Sequence, residues 1–250
     1  MARIGLIGGS GLEKLNILSD TREVVADTPY GAPSSSFLCG KIAGNEVRIL
    51  SRHARDHSIT PTHVNNRANI YAFKDFGCTG ILATTACGSL REEILRGDLV
   101  FPDQFLDFTK KRISTFHDHF EPGITGHVAM ADPFSEDLRR KLIKAAKALK
   151  LPFHPRGTVV TIEGPRFSTR AESNMFRIIG ADIINMSIAP EAALANEAGI
   201  PYAVIALSTD YDAWKHDEKP VTWTEILKVF EENVRHVTEL LVNILQDFNG

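Results

Sequence analysis

Short runs of apolar residues recur along the chain and predict buried β-strands. They are rich in isoleucine and valine, and few polar residues interrupt them, which is typical of strands covered on both faces. The runs occupy positions 4–7, 47–50, 81–83, 99–101, 159–162, 183–186 and 202–207. The pattern therefore predicts a sheet that lies inside the molecule.

Segments with helical periodicity lie between most of these runs. Three of them, 65–76, 168–179 and 190–198, are each followed by a glycine. A helix C-terminus favours glycine there because this residue adopts the left-handed backbone conformation at little cost. A fourth segment, 137–150, places its leucines on one stripe and most of its basic side chains elsewhere, so we interpret its basic run as a solvated helix face.

The last helix is predicted by its start signal. Thr222 and Glu225 have the spacing of a capping box, and apolar residues recur after them at helical spacing as far as Ile244. The alternation of strands and helices predicts an α/β fold whose mostly parallel or mixed sheet lies between helices. Segment 110–127 shows neither the periodicity of a strand nor that of a helix, so it is interpreted as a long loop. Because no linker or repeat interrupts the pattern, we treat residues 1–250 as a single domain.

Composition narrows the class of protein. The 250 residues are 43% hydrophobic and 24% charged, which is the balance of a globular protein. A net charge of −3 argues against nucleic acid as a partner. The lack of any run of about 18 apolar residues argues against a membrane. Cys39, Cys78 and Cys87 are odd in number and widely spaced, so we expect reduced thiols and a cytoplasmic protein.

Polar residues follow the apolar runs where the strands are expected to end. Ligands of open α/β sheets bind beyond the carboxyl ends of the strands, so scattered positions of this kind are expected to converge on one site. The residues are Ser10, Arg52, His53, Thr84, Thr85, Glu163, Ser187, Asp210 and Asp212.

One part of this set favours an anion pocket. The glycine-rich segment 8–11 lacks the third glycine of the dinucleotide fingerprint, but its backbone N–H groups and the Ser10 hydroxyl suit a single anion. Arg52 adds a planar cationic fork and His53 a further donor. Two more hydroxyls come from Thr85 and Ser187. Each residue alone has a plainer interpretation, as a helix cap or a surface ion pair, and only the shared sheet edge favours the pocket.

Two other patterns concern acid chemistry and metals. Asp210 and Asp212 follow the last strand, where a carboxylate pair can supply a general acid and a substrate anchor, or a turn cap. His53 and His57 have the spacing of two metal ligands on a helix. No third ligand has a matching spacing, so we predict no metal site.

Taken together, six motifs resemble the purine nucleoside phosphorylase superfamily, most of all its branch that acts on 5′-methylthioadenosine. They are IGGSG at 7–11, RH at 52–53, TTACGSL at 84–90, EGPRFS at 163–168, NMS at 185–187 and DYD at 210–212. Their order and spacing extend the resemblance over almost the whole chain. It implies one α/β domain around a mixed, partly barrel-like central sheet flanked by helices, assembled as a homotrimer.

The resemblance also implies a role for each matched residue. Met186 would lie against the ribose and Phe167 against the purine, while Asp210 and Asp212 would meet the base edge. Asp210 and His53 would be catalytic. Trp223 stands near a position where the family has a small aliphatic residue in its 5′ pocket, so we expect it to affect specificity. Phosphate would be bound by Ser10, Arg52, His53, Thr85, the backbone of Ala86, and Ser187.

The expected reaction is phosphate-dependent cleavage of 5′-methylthioadenosine to adenine and 5-methylthioribose 1-phosphate, a step of purine and methionine salvage. Inorganic phosphate would be a co-substrate and no cofactor would be needed. Carboxylates accept from the adenine amino group, and Ser168 stands where the 6-oxopurine branch tends to have glutamate, so both features favour adenine.

Three alternatives stay open at this point. One is a phosphorylase of 6-oxopurine nucleosides or methylthioinosine. Another is an NAD-dependent oxidoreductase with Asp27 as its ribose-binding acid, and the third is a nucleoside-binding protein without activity.

Overall fold

The computed structural model describes residues 2–8, 17–123, 126–218 and 222–249, with only the backbone of Trp223 and Asn249. The strands in these ranges are β1 Arg3–Gly8, β2 Ser19–Val24, β3 Phe37–Ile42, β4 Asn45–Ser51, β5 Gly80–Ser89, β6 Leu99–Val100, β7 Gln104–Phe108, β8 Phe153–His154, β9 Thr158–Ile162, β10 Ile183–Asn185 and β11 Tyr202–Asp210. The α-helices are α1 Asn66–Asp75, α2 Glu136–Ala148, α3 Arg170–Ile178, α4 Ile188–Glu197 and α5 Trp223–Gln246.

All of these strands join one mixed sheet. Its main path runs β2-β3-β4-β1-β5-β10-β9-β7, and a branch leaves β5 through β11 to β6 and β8. Strands β1, β4, β5 and β11 pair in parallel, whereas β10 pairs antiparallel with β5. Helices cover both faces: α1 and α4 pack on one side, and α2 and α5 pack on the other. The predicted α/β fold with a mixed sheet is confirmed.

Strand β5 organises the sheet and opens it at one place. One edge of β5 pairs with β1 as far as Ala83 and pairs with β10 only from Gly88 onwards. Among the described residues, no strand pairs with Thr84 to Cys87 on that edge, while β11 pairs along the opposite edge. The sequence predicts Thr84 and Thr85 at the end of a strand. In the structure they lie within a long strand instead.

The helix ends follow the local signals closely. Gly77, Gly180 and Gly199 each have positive φ at the predicted helix C-termini. Thr222 accepts a hydrogen bond from the Glu225 backbone N–H, but the Glu225 carboxylate accepts from the Thr222 hydroxyl, so the predicted capping box is only half formed.

The sequence did not indicate β2, β3, β7 or β8. Strand β2 is a mostly exposed edge strand of polar residues, so it carries no apolar run. None of the helices in the described part of the chain has the length and apolar character that crossing a bilayer requires.

Candidate active site

The open edge of β5 forms the floor of a pocket. Its walls come from the segments after β4, β9, β10 and β11 and from the first turns of α5, so the predicted convergence occurs. The lining includes Arg52, His53, Thr84, Thr85, Ala86, Phe167, Ser168, Asn185, Met186, Ser187, Thr209, Asp210, Asp212, Ile226, Leu227 and Phe230. Ser10, the remaining predicted phosphate ligand, lies outside the described residues.

Arg52 lies at one end of this pocket in a buried ion pair. Its Nε and Nη2 donate to the two carboxylate oxygens of Glu191, the second over 3.1 Å, and Nη1 donates to the Thr84 carbonyl at 3.0 Å. The Tyr202 hydroxyl donates to Glu191 Oε2 at 2.7 Å. Arg52 is 2% exposed and Glu191 is fully buried. Burial opposes the charge, but Glu191 offsets it and raises the pKa of Arg52.

These contacts use three of the five N–H groups of the guanidinium. Within the described residues, one N–H remains on each terminal nitrogen, which is the number that two oxygens of an oxyanion accept. The ion pair with Glu191 therefore orients the arginine without consuming its capacity for an anion.

His53 follows Arg52 and is a neutral ring. Its Nδ1 lies 2.9 Å from the Ile59 carbonyl, an acceptor only, so Nδ1 carries the proton. Burial, and then the charge of Arg52, lower the pKa of His53 to about 4. Nε2 is then an acceptor, which corrects the expectation of a further donor, and it suits the P–OH group of hydrogen phosphate. His57 packs against the ring at 4.8 Å between centroids. No three metal-ligating side chains come together in the described residues.

The hydroxyl groups of the pocket are arranged around Asn185. Its side chain donates to Thr85 Oγ1 at 3.5 Å, and its Oδ1 accepts from the Ser187 backbone N–H at 3.4 Å. Ser187 precedes α4, yet its hydroxyl makes no capping bond to that helix. Ser187 is therefore the N-cap residue of α4 by position, but its hydroxyl does not cap the helix. The hydroxyl lies at a helix N-terminus, an environment that favours anions.

Asp210 and Asp212 form the opposite end of the pocket. Asp210 Oδ1 accepts from the Asp212 backbone N–H and Oδ2 accepts from the Thr209 hydroxyl, both at 2.8 Å. Burial raises the pKa of Asp210 to about 6, although these two hydrogen bonds oppose the rise. Gly88 makes room for both acids, because a Cβ there would lie 2.9 Å from Asp210 Oδ1 and 3.2 Å from Asp212 Cβ. Asp210 can therefore hold a proton close to neutral pH.

Asp212 offers an acceptor that the described residues do not fill. Burial raises the pKa of Asp212, and the Ser173 and Ser168 hydroxyls beside it oppose that rise. Neither serine completes a hydrogen bond of ordinary geometry, and Asp212 Oδ2, Ser168 Oγ and Ser173 Oγ are all buried without a partner in this part of the chain. An amino group of a ligand would satisfy Oδ2.

Between the two ends lie Met186 and Phe167. The Met186 sulfur packs against Gly164, where a Cβ would come within 2.4 Å of Sδ and where φ is +70°, so glycine is required. Arg112 donates to the Met186 carbonyl at 3.1 Å and pairs with Glu163 at 3.0 Å. Phe167 leaves 38% of its surface exposed at the pocket wall, which suits a ring that stacks on a ligand.

Glu163 is the one polar strand-end residue of the described set that does not line the pocket. Burial would raise its pKa, but donors including the Lys110 and Lys111 backbone N–H groups and the Thr62 hydroxyl lower it to about 2. Its role is to anchor the start of the predicted long loop.

The wall formed by α5 is apolar and consists of Ile226, Leu227 and Phe230. The sequence did not indicate these residues, because their helical spacing marks them equally well as core. Trp223 is the first residue of α5. Its side chain lies outside the described residues, so its effect on specificity stays a prediction.

Comparison with known proteins places this site in a family. A model of the phosphorylase superfamily matches residues 3–246. The chain belongs to the phosphorylase superfamily. S-methyl-5′-thioadenosine phosphorylases of Xenopus tropicalis and Danio rerio are 51% and 50% identical to this superfamily member over 97% of its chain and 88% of theirs. Methylthioadenosine phosphorylase from Schistosoma mansoni in complex with adenine has a TM-score of 0.94 at 40% identity, covering 100% of this chain and 92% of that one.

The superfamily resemblance drawn from the six motifs is therefore confirmed. Two buried residues of this phosphorylase site, Glu191 and Tyr202, were not identified from the sequence. Glu191 lies inside a segment whose helical pattern explained it, and Tyr202 begins an apolar run. The only signal for Glu191 is an acid in the first turn of a helix whose other residues as far as Ala195 are apolar or small. A fully buried glutamate is unusual unless it is paired.

Proposed function

We propose that this protein catalyses the phosphorolysis of 5′-methylthioadenosine to adenine and 5-methylthioribose 1-phosphate. The observation that carries the proposal is the pairing of two ends in one pocket. A buried arginine with surrounding hydroxyls lies at one end, and a buried carboxyl whose pKa is about 6 lies at the other. Relatives about 50% identical carry the name of this activity.

The arginine end suits the phosphate. Arg52 presents one N–H on each terminal nitrogen, Thr85 and Ser187 present hydroxyls, and Nε2 of His53 accepts from the P–OH group. Ala86 lies on the open edge of β5 beside them, and we assign its backbone to the same anion. The sixth residue that we assign, from the sequence motif, is Ser10.

The acid end suits an adenine base. A protonated Asp210 donates to purine N7, and the unfilled Oδ2 of Asp212 accepts from the 6-amino group. Phe167 covers the face of the purine, and Ser168 contacts the same region as Asp212. A 6-oxo group would meet an acceptor where it needs a donor, and a mismatch of this kind discriminates strongly.

The middle of the pocket suits the sugar. Met186 lies between the anion end and the base end, against the ribose. The apolar wall of Ile226, Leu227 and Phe230 suits a 5′-methylthio group better than a 5′-hydroxyl, which would lose water there without gaining a hydrogen bond. Trp223, one turn earlier on α5, would narrow the same region.

The chemistry follows from this arrangement. The C1′–N9 bond breaks first and its electron pair moves into the purine, while the proton of Asp210 transfers to N7. Positive charge develops at C1′, and the phosphate held by Arg52 and His53 both stabilises it and supplies the oxygen that bonds to C1′. Phosphate is thus a co-substrate, and we infer that no cofactor takes part.

We further propose a cytoplasmic homotrimer that acts in purine and methionine salvage. The buried, unpaired state of Cys39, Cys78 and Cys87 suits a reducing compartment. Met175, Ile178 and Ile179 at the end of α3 are 40%, 85% and 46% exposed, an apolar patch of the kind that subunit contacts cover. A mass in solution of three times 27.6 kDa checks the trimer.

An assay of four nucleosides with and without phosphate tests the function. We expect adenine from methylthioadenosine only when phosphate is present, a lower efficiency with adenosine, and little reaction of methylthioinosine or inosine. Equal base release without phosphate would identify a hydrolase. A preference for the two 6-oxo nucleosides would identify the alternative phosphorylase.

A further inference from the structure

Thr209 lies beside the acid end of the pocket at an irregularity of the sheet. Along the pairing of β11 with β5, Ser208 faces Cys87 and Asp210 faces Gly88, so Thr209 is an extra residue in β11. Neighbouring residues of a regular strand point to opposite faces, but a bulge re-aims one of them. Both Thr209 and Asp210 consequently line the pocket.

The Thr209 hydroxyl lies between two acceptors. Its oxygen is 2.8 Å from Asp210 Oδ2 and 3.2 Å from the Cys87 carbonyl oxygen. Thr209 is 2% exposed, so water does not compete freely for these groups. A hydroxyl has one hydrogen and cannot make both bonds fully at once.

The protonation state of Asp210 decides which bond is made. When Asp210 carries its proton on Oδ2 and donates it in a hydrogen bond to the purine N7, Oδ2 needs no donor from the protein, and the threonine hydrogen is free to bond to the Cys87 carbonyl. When Asp210 is ionised, the threonine must donate to the carboxylate. Oδ1 accepts from the Asp212 backbone N–H in either state, so only the Oδ2 side changes.

We propose that Thr209 is a positioning residue whose hydroxyl turns from the Cys87 carbonyl to Asp210 Oδ2 as Asp210 gives its proton to the purine. The inference rests on the proposed phosphorolysis. The Asp210 O–H bond breaks, the N7–H bond forms, and the C1′–N9 electron pair is left on the purine. The new carboxylate then receives the Thr209 O–H bond, so the charge that the step creates is stabilised when it appears.

The groups that face Asp210 are consistent with this role. The charge of Asp212 raises the pKa of Asp210 and Arg96 lowers it, while the Cys87 thiol lies close enough to be affected by Asp210. Titration of His53 lies near pH 4, below the range in which Asp210 changes state. The adjoining cavity behind Asp210 is lined by the charged residues Arg96, Asp217, Glu218, Glu225, Lys228 and Glu232.

Two variants test the proposal. Thr209→Val keeps the shape and removes the hydroxyl, whereas Thr209→Ser keeps the hydroxyl. With methylthioadenosine at saturating phosphate, we expect Thr209→Val to lower kcat by about tenfold or more. Loss of a bond that stabilises the carboxylate should also move the high-pH decline of kcat/KM upwards by about one pH unit. Thr209→Ser should restore both the rate and the profile.

Adenine affinity gives a readout that does not need turnover or phosphate. Adenine is expected to bind the protonated form of Asp210. Its dissociation constant should therefore increase as the pH is raised past the pKa of Asp210, and in Thr209→Val this increase should begin at higher pH. In an Asp210→Asn background, Thr209→Val should have no further effect on kcat. Equal pH profiles for wild type and a folded Thr209→Val variant would overturn the proposal. A wild type without phosphorolysis would instead overturn the proposed function.

Discussion

At the scale of single residues, the site depends on two carboxylates whose surroundings differ. Asp210 already accepts two hydrogen bonds from the protein, and burial still raises its pKa to about 6. Asp212 Oδ2 has no hydrogen-bond partner among the described residues. One group is thus suited to donate a proton and the other to accept from a ligand, although the two residues have the same side chain.

The first prediction concerns Asp210. Asp210→Asn should lose activity on methylthioadenosine, because an amide cannot protonate N7. It should raise the ratio of the kcat/KM for 6-oxo nucleosides to that for 6-amino nucleosides by more than about tenfold, because an amide donates to O6. Asp75→Asn, which removes an exposed carboxylate from α1 away from the pocket, is the control. Ser168→Glu should also raise the preference for 6-oxo nucleosides, by a smaller factor. Near wild-type rate and adenine preference in Asp210→Asn would show that Asp210 does not contact the base.

The sequence predicted these residues better than their partners. Arg52, Asp210 and Asp212 interrupt apolar patterns and could be identified for that reason. Glu191 and Thr209 lie inside a helix and a strand, where the periodicity explains them and no local signal marks a function. The direction of hydrogen bonds is also beyond the sequence. The sequence predicts a donor at His53, whereas the contact of its Nδ1 with the Ile59 carbonyl leaves Nε2 as an acceptor.

At the scale of elements, the anion end depends on the packing of three pieces of the fold. Arg52 follows β4, Glu191 lies on α4 and Tyr202 begins β11, and their side chains form one buried chain of hydrogen bonds. Removing Arg52 would therefore leave a buried carboxylate without its counterion, at a cost of about 3–5 kcal/mol. A milder change is needed to separate phosphate binding from stability.

Tyr202→Phe provides that change. It removes one neutral donor from Glu191 and keeps the ion pair, so the arginine is less firmly oriented. We expect KM for phosphate to rise about threefold to tenfold, with a smaller effect on KM for methylthioadenosine. Tyr71→Phe, on α1, is the control. A phosphate KM that does not move in a folded Tyr202→Phe variant would show that the Tyr202–Glu191 contact serves stability alone.

Most elements were predicted from periodicity, and two of the four missed strands have a physical reason. Polar edge strand β2 has no apolar run, and β8 spans only two residues. The run at 81–83 indicates β5, but its continuation through two threonines, an alanine, a cysteine, a glycine and a serine does not resemble a buried strand. That continuation is the floor of the pocket, so the least strand-like part of β5 carries the site.

At the scale of the whole molecule, the order of elements was predictable and the branching of the sheet was not. Which strands pair is decided by contacts between residues far apart in the sequence, such as β1 with β5 and β5 with β11. The gap between the β1 and β10 pairings leaves an edge of β5 open between the anion end and the acid end of the pocket. The motif resemblance predicted this fold as a unit, and the match to the phosphorylase superfamily confirms it.

The central claim is that a phosphate oxygen replaces the purine at C1′. The most direct measurement supplies methylthioadenosine together with phosphate labelled with oxygen-18 at every position, and follows the products by mass spectrometry. Our account predicts adenine and a sugar phosphate in equal amounts, with the full label retained in the sugar phosphate, because a C–O bond forms and no P–O bond breaks. Free 5-methylthioribose beside unchanged labelled phosphate would contradict it.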